Sequence, residues 1–103
     1  MGGIWVSPTE VESALAAHEH VLECAVIGVA DENELIKPKA FVVLKAGVAG
    51  DDALCDVLKA HVKSRLAPYK YPRWIAFVDE LPKTATGKIQ RHVLRAREAA
   101  ASG

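Results

Sequence analysis

Two apolar runs rich in β-branched residues, separated by a short polar turn, place the strongest constraint on how this chain folds. Residues 21–29 form the first run, and residues 39–45 form the second. Residues 31–34, Asp-Glu-Asn-Glu, lie between them and have the composition of a turn. Because a short turn reverses the chain, this pattern predicts two strands that pair antiparallel.

Segments with helical periodicity lie on both sides of this strand pair. Ser7, Pro8 and Glu10 have the pattern of a helix start, with Ser7 as the cap and Pro8 at the first helical position. Residues that share one face of this first helix are Val11, Ala14, Leu15 and His18. We interpret His18 as a residue at the boundary of the core rather than as a metal ligand.

A second helix is predicted after a cap at Asp51 or Asp52, and it ends before Pro68. Its buried side is predicted to contain Leu54, Val57, Leu58, His61 and Val62. A short strand over residues 74–78 and a last helix over residues 89–99 follow. This order predicts an α+β domain: a small antiparallel sheet of about three strands with helices packed on it, and a short β-hairpin or loop at the N-terminus.

Length and composition predict one soluble domain. With 103 residues, half of them apolar, the chain can bury one core. No apolar run approaches the roughly 20 residues that a membrane-spanning helix needs, and the start does not resemble a signal peptide, so we expect a cytoplasmic protein without a membrane partner. Cys24 and Cys55 lie in apolar segments without histidines at metal-ligand spacing, so we predict two buried free thiols and no metal site.

The charges are unevenly distributed, although the net charge is zero. Residues 1–62 contain four Lys/Arg and ten Asp/Glu, whereas residues 63–103 contain nine Lys/Arg and three Asp/Glu. Nucleic acid is one candidate partner for the basic half. This half has no groove-reading motif and no interleaved aromatic platform beyond Tyr69, Tyr71 and Trp74, so we predict no nucleic-acid partner. A phosphorylated small molecule fits at least as well, and ordinary solvated helix faces account for part of the charge.

The polar loop at residues 81–91, Leu-Pro-Lys-Thr-Ala-Thr-Gly-Lys-Ile-Gln-Arg, is the main functional candidate. Pro82 cannot donate to a sheet, and Gly87 permits unusual backbone angles, so the chain turns here. Lys88 lies near the predicted start of the last helix, where free N–H groups favour an anion. A P-loop is excluded, because position 82 is not glycine and Ile89 carries no hydroxyl. A solvated surface lysine is the alternative interpretation.

Several separated segments resemble the C-terminal domain of the adenylate-forming enzymes, which include acyl-CoA synthetases, aryl-CoA ligases, luciferases and peptide-synthetase adenylation domains. Pro-Lys-Thr-x-Thr-Gly-Lys-x-x-Arg at 82–91 is similar to the last motif of that family. Residues 2–12 resemble its hinge-proximal motif, residues 21–28 and 37–44 resemble two of its strands, and residues 66–72 resemble its tyrosine-lysine-x-proline turn. The residues of these segments are most similar to those of benzoate-CoA ligases.

The resemblance implies that residues 1–103 are the mobile C-terminal domain of an AMP-forming carboxylic acid-CoA ligase, without its large N-terminal domain. Such enzymes convert an acid, ATP and CoA into acyl-CoA, AMP and pyrophosphate, and the acid implied is benzoate or a related aromatic acid. Mg²⁺ is expected in the N-terminal domain, and the isolated fragment is expected to be inactive and to bind no cofactor. A fatty acyl-CoA synthetase, a peptide-synthetase adenylation domain and, less favoured, a small nucleic-acid-binding domain are the alternatives.

The resemblance also implies roles for individual residues. Lys88 matches the catalytic lysine that contacts the acid's carboxylate and the α-phosphate of ATP, and Thr84, Thr86 and Gly87 support its loop. The implied substrate and CoA contacts are Gly2, Gly3, Trp5, Tyr69, Lys70 and Arg73. In the family the domain rotates between the two half-reactions, so that the Lys88 loop serves adenylation and the glycine-containing N-terminal edge lines the CoA tunnel.

Two further implications concern a modification and an aromatic residue. Family members are controlled by acetylation of the lysine that matches Lys88, so a lysine acetyltransferase is an implied partner. Trp5 has a second interpretation, as a core residue instead of a wall of the CoA tunnel.

Overall fold

The computed structural model of this chain describes residues 8–30, 32–66 and 71–102, and the side chains of residues 9–100 within these ranges. The helices and strands of the described ranges are α1 (Pro8–Ala16), β1 (Val21–Ala30), β2 (Ile36–Leu44), α2 (Asp52–Arg65), β3 (Trp74–Phe77) and α3 (Arg91–Ser102). The predicted α+β class is confirmed. The predicted cap at Ser7 and the N-terminal hairpin or loop lie outside the described residues.

The strands form one sheet in the order β1-β2-β3. β1 and β2 pair antiparallel, with Val26 opposite Ala40, as predicted. β3 pairs parallel to β2, with Trp74 opposite Lys39, so the prediction of an antiparallel sheet is wrong for this strand. The reason is the intervening helix α2, which returns the chain to the end of the sheet where β2 began. A strand that starts from that end runs parallel to β2.

Helices cover both faces of the sheet. α1 and α2 pack against one face, and α3 packs against the other. Side chains alternate along β1 accordingly, because Cys24 and Val26 join the first cluster whereas Ala25 and Ile27 join the second. Two covered faces explain why residues 24–27 of β1 and 40–44 of β2 are continuously apolar.

A cap and one apolar stripe fix helix α2. Asp51 is the cap, and its Oδ1 accepts a hydrogen bond from the backbone N–H of Leu54 at 2.9 Å. Leu54, Leu58 and Val62 are buried as predicted, since residues four apart lie on one face of a helix. The prediction for Val57 is wrong: it is 50% exposed, because it lies about 100° around the helix from Leu58.

Helix α3 begins at Arg91, two residues later than predicted, and Ile89 instead pairs with Lys83 in an isolated antiparallel bridge. Lys88 therefore lies in a hairpin that precedes the helix. This corrects the prediction that Lys88 lies at the start of the last helix, beside its free N–H groups. The cysteine prediction also needs a correction. Both thiols are free, but Cys24 is buried and Cys55 is partly exposed.

Three histidines cluster where the end of α1 meets α2. The rings of His18 and His61 pack edge to face with their centroids 4.8 Å apart, and His61 Nε2 lies 2.8 Å from the carbonyl oxygen of Ala14. His18 Nδ1 accepts a hydrogen bond from the backbone N–H of His20 at 3.1 Å. Burial lowers the pKa of His18, His61 and His20 lower it further, and Glu19 acts in the opposite direction.

We expect this cluster to make the fold less stable as the pH falls below 6.5, the ordinary pKa of histidine. Because folding lowers the pKa of His18, the unfolded state binds more protons in this range, and protonation favours unfolding. The destabilisation is absent well above 6.5 and grows until the pH reaches the folded-state pKa. Urea unfolding at about pH 7.5 and about pH 5.5 measures it.

His18→Gln should reduce the pH dependence of the unfolding free energy. His92→Gln is the matched control, because His92 is exposed on α3 and lies outside the cluster. The same pH dependence in the original protein and in His18→Gln would contradict this prediction.

Candidate functional site

The predicted functional loop folds into a short hairpin over residues 83–89, which we call the lysine hairpin. Its two arms are joined by backbone hydrogen bonds. The N–H of Thr84 donates to the carbonyl oxygen of Lys88 at 2.8 Å. Just outside the hairpin, the N–H of Gln90 donates to the carbonyl oxygen of Pro82 at 2.8 Å. The predicted polar loop is therefore closed by its own hydrogen bonds.

The three supporting residues predicted from the sequence all take part in the turn of the hairpin. Gly87 has a φ of +87°, a conformation that strongly favours glycine, and its N–H donates to the carbonyl oxygen of Thr84 at 2.9 Å. Thr84 Oγ1 accepts from the backbone N–H of Lys88 at 3.1 Å and lies 3.0 Å from Thr86 Oγ1. Thr84 therefore bonds both the N–H and the carbonyl oxygen of Lys88, which fixes the backbone of this residue.

The two lysines of the hairpin differ in their partners. Lys83 Nζ lies 2.6 Å from Glu23 Oε1 on β1, so its charge is paired within the domain. Lys88 is exposed, and among the described residues its ammonium has no hydrogen-bond or ion-pair partner. The hairpin thus presents one ammonium group that is available to an anion from outside the domain.

Glutamates of the acidic first half pair with cations of the basic second half. The pairs are Arg91 with Glu12, Lys83 with Glu23, and Arg73 with Glu32. Part of the basic charge is therefore neutralised within the domain, which weakens the case for a nucleic-acid surface. These glutamates were not predicted as site residues, although the uneven charge of the two halves was a signal that could have identified them.

Arg73, predicted to contact CoA, lies away from the lysine hairpin. Its backbone N–H donates to the carbonyl oxygen of Pro38, which is paired with Gly28 on β1, whereas the hairpin reaches β1 at Glu23. Gly28 and Glu23 are five residues apart on β1, so these two contacts are separated by roughly 17 Å along the strand. The guanidinium lies 5.8 Å from the ring centroid of Trp74 and 3.4 Å from Glu32, and both arrangements leave it accessible at the surface.

The other predicted substrate contacts have no structural test. Gly2, Gly3, Trp5, Tyr69 and Lys70 lie outside the described residues.

A depression of about 300 Å³ occurs elsewhere on the described surface, between the segment after β2 and the end of β3. Its lining residues are Val43, Leu44, Lys45, Val48, Gly50, Phe77, Val78 and Asp79. No residue of the lysine hairpin lines it. In the described ranges, no group of three or more His, Cys, Asp or Glu side chains is arranged to hold a metal ion. Nor is any helix in that part of the chain long and apolar enough to cross a membrane.

The sequence is similar to several CoA ligases. It is 70% identical over 95 residues to the benzoate-CoA ligase of Thauera aromatica, which covers 92% of this chain and 18% of that protein. It is 57% identical over 96 residues to the 4-hydroxybenzoate-CoA/benzoate-CoA ligase of Rhodopseudomonas palustris, again covering 92% of this chain and 18% of that protein. The chain thus spans less than a fifth of the length of these relatives.

Solved structures agree with this similarity. A benzoate CoA ligase from Burkholderia xenovorans LB400 matches with a TM-score of 0.80 and 62% identity, over 88% of this chain and 18% of that one. The anthranilate CoA ligase AuaEII in complex with anthranoyl-AMP matches with a TM-score of 0.87 and 57% identity, over 98% of this chain and 20% of that one.

A protein-family match includes most of the lysine hairpin and ends at Lys88. Residues 10–88 match the family described as the AMP-binding enzyme C-terminal domain. This match includes most of the chain, the whole three-stranded sheet and Lys88 itself. The chain therefore belongs to the C-terminal domain family of the AMP-binding, adenylate-forming enzymes.

Proposed function

We propose that residues 1–103 are the mobile C-terminal domain of an AMP-forming carboxylic acid-CoA ligase that acts on benzoate or a related aromatic acid. The observation that carries this proposal is the exposed ammonium of Lys88 on a hydrogen-bonded hairpin, without a partner among the described residues, in a chain of this family. The substrate class is supported by the names of the relatives, since two of them are benzoate-CoA ligases. The rest of the enzyme is a larger N-terminal domain, which is the main partner.

In this proposal Lys88 is the catalytic residue of the adenylation step. A carboxylate oxygen of the acid attacks the α-phosphate of ATP, a bond forms between them, and pyrophosphate leaves. Both reactants are anions and repel one another, so an ammonium between them favours their approach and stabilises charge that builds on the oxygens. A lysine suits this task because its charge is compact and its stem is long.

The second half-reaction transfers the acyl group from the adenylate to the thiol of CoA, and AMP leaves. We propose that Gly2, Gly3, Trp5, Tyr69, Lys70 and Arg73 then contribute to the CoA site. Arg73 fits a phosphate contact, because its pair with Glu32 is long and both side chains are about half exposed or more. Such surface pairs contribute little free energy, so an incoming phosphate can replace the glutamate.

Rotation of the domain between the two half-reactions accounts for the separation of Arg73 from the lysine hairpin. One orientation brings Lys88 to the adenylation site, and the other removes it and brings the CoA contacts there. The ATP-binding loops, the acid pocket and the Mg²⁺ site belong to the N-terminal domain in this proposal. The isolated fragment is then inactive and binds neither ATP nor CoA tightly. We place the enzyme in the cytoplasm, with a lysine acetyltransferase as a regulatory partner at Lys88.

The experiment that tests this function is an assay of the full-length enzyme that contains this domain. With benzoate, ATP and CoA we expect formation of benzoyl-CoA, AMP and pyrophosphate. A fatty acid should give a kcat/KM lower by roughly tenfold or more, because an acid pocket shaped for a ring rejects a flexible chain. A preference for a fatty acid indicates a fatty acyl-CoA synthetase, and adenylation of an amino acid without CoA thioester indicates a peptide-synthetase type.

A further inference from the structure

Glu12 joins three elements at the β1 edge of the described sheet. β1 is an edge strand, and the backbone N–H of Val26 on this strand donates to Glu12 Oε2 at 3.1 Å. The same oxygen accepts from Arg91 Nε at 3.2 Å, while Glu12 Oε1 accepts from Arg91 Nη2. Because α1 and α3 lie on opposite faces of the sheet, the Glu12–Arg91 pair passes around the edge of β1 and connects the two helices.

The geometry and burial of this pair make it stronger than an ordinary surface ion pair. The Glu12 side chain is 18% exposed, and the Arg91 side chain is 40% exposed. Two parallel N–H donors meet the two carboxylate oxygens, an arrangement that fixes direction as well as distance. The Cys24 thiol, whose pKa burial raises to about 12, donates to the carbonyl oxygen of Glu12 at 3.2 Å and holds the backbone of this residue against β1.

Arg91 is the first residue of α3 and follows Lys88 by three positions. The lysine hairpin is therefore anchored on both sides by ion pairs. Lys83, at its beginning, binds Glu23 on β1, and Arg91, just after its end, binds Glu12 on α1. The hairpin is also closed internally by hydrogen bonds, so we expect a displacement at either anchor to move it as one unit.

We propose that Glu12 is a positioning residue for adenylation, which acts through Arg91 to fix the direction in which the hairpin presents Lys88. This inference rests on the proposed function of Lys88. The Lys88 ammonium is at the end of a long side chain and has no partner in the described part of the domain, so its position in a cleft depends on where the hairpin backbone points. Loss of the Glu12 anchor leaves the hairpin held only through Lys83 and Glu23, so the whole hairpin can tilt and Lys88 loses its fixed direction.

The test uses the full-length enzyme and the variants Glu12→Gln and Arg91→Gln. Glutamine keeps the size of Glu12 and can still accept from the N–H of Val26, but it has no charge to hold the guanidinium. Because a displacement of about 1 Å can cost roughly a hundredfold in rate, we expect a partial displacement to slow adenylation about tenfold. Thioester formation from a preformed acyl-adenylate and CoA should stay within about twofold of the original rate, since Lys88 is not used there.

A second readout follows the hairpin itself. Hydrogen exchange measured by mass spectrometry should be faster at residues 84–90 in Glu12→Gln than in the original enzyme, while the amides of β2 remain unchanged. Arg91→Lys keeps the positive charge but loses the paired donors, so it should restore part of the adenylation rate that Arg91→Gln loses. If the Glu12→Gln enzyme does not fold, the comparison of Arg91→Lys with Arg91→Gln tests the same contact.

Glu98→Gln is the matched control. Glu98 on α3 binds Lys39 on β2 at 2.7 Å, and both side chains are about as buried as Glu12, but this pair lies seven residues beyond Arg91. Glu98→Gln should lower the stability of the domain without changing the ratio of the adenylation rate to the thioester-formation rate. The inference is wrong if Glu12→Gln and Glu98→Gln give the same ratio of these rates, or if Glu12→Gln slows both half-reactions equally.

The same experiment separates this inference from the proposed function. If the original enzyme forms no acyl-adenylate, or if Lys88→Ala adenylates normally, the proposed function itself fails. If Lys88→Ala loses adenylation but Glu12→Gln retains it fully, only the positioning role of Glu12 is overturned.

Discussion

Lys88→Ala in the full-length enzyme is expected to slow acyl-adenylate formation by about two to three orders of magnitude. Removal of one well-placed donor at a developing oxyanion typically costs roughly 3 to 4 kcal/mol in transition-state stabilisation, and Lys88 supplies a full charge. The charge is available because Lys88, unlike Lys83, has no carboxylate partner in the described residues. Its hairpin is also preorganised, since the backbone N–H of Thr84 donates to the carbonyl oxygen of Lys88 and the Thr84 hydroxyl accepts from the N–H of Lys88.

The measurement separates the two half-reactions. Adenylation is followed from free acid and ATP, and thioester formation is followed from a preformed acyl-adenylate and CoA. The second rate should stay near that of the original enzyme, because the proposed rotation of the domain removes Lys88 from the site. Lys45→Ala, at an exposed lysine that follows β2, is the matched control and should leave both rates unchanged. Arg73→Ala should instead raise the KM for CoA.

Acetylation of Lys88 should reproduce the effect of Lys88→Ala, because it replaces the ammonium by a neutral amide. Enzyme treated with a protein acetyltransferase and acetyl-CoA should carry the modification at Lys88 by mass spectrometry and should lose adenylation selectively. Modification only at Lys37 or Lys59 would contradict the proposed acetyltransferase partner.

For the variant Lys88→Ala, equal losses of rate in both half-reactions would contradict the catalytic role, because they would mean that the lysine maintains structure.

Leu58→Ala is expected to lower the free energy of unfolding by about 2 to 5 kcal/mol. Leu58 is fully buried at the centre of the apolar stripe of α2, where it packs in the cluster formed by α1, α2 and the sheet. Truncation removes buried apolar surface and leaves a cavity, since α2 is held by its cap and packs against α1 and the sheet on its buried side. A domain of this size has a total stability of roughly 5 to 15 kcal/mol, so the loss is a large fraction of it.

Val57→Ala provides the matched control on the same helix. Val57 precedes Leu58 by one position but is 50% exposed, so its truncation should change the unfolding free energy by no more than about 0.5 kcal/mol. Urea unfolding of the 103-residue chain, followed by circular dichroism, measures both variants. Similar losses for Leu58→Ala and Val57→Ala would contradict the described orientation of α2.

Much of the fold was predictable because its signals are local. The β-branched runs identified β1 and β2, and the short turn between them set their antiparallel pairing. Asp51 was one of two predicted caps, and the four-residue spacing of Leu54, Leu58 and Val62 identified the buried side of α2. Helix periodicity was less informative at Ile89, where an apolar residue that fits the helix pattern is used in the hairpin bridge.

The sequence by itself determined the α+β class, the two long strands and the motif around Lys88, because periodicity, capping and turn chemistry depend on neighbouring residues. The tertiary structure decided the parallel direction of β3, the pairing of Lys83 that leaves Lys88 as the available ammonium of the hairpin, and the anchor between Glu12 and Arg91. Those two residues are 79 positions apart. Their pairing exists only because α1 and α3 pack on opposite faces of the same sheet and meet at its edge, which no local pattern specifies.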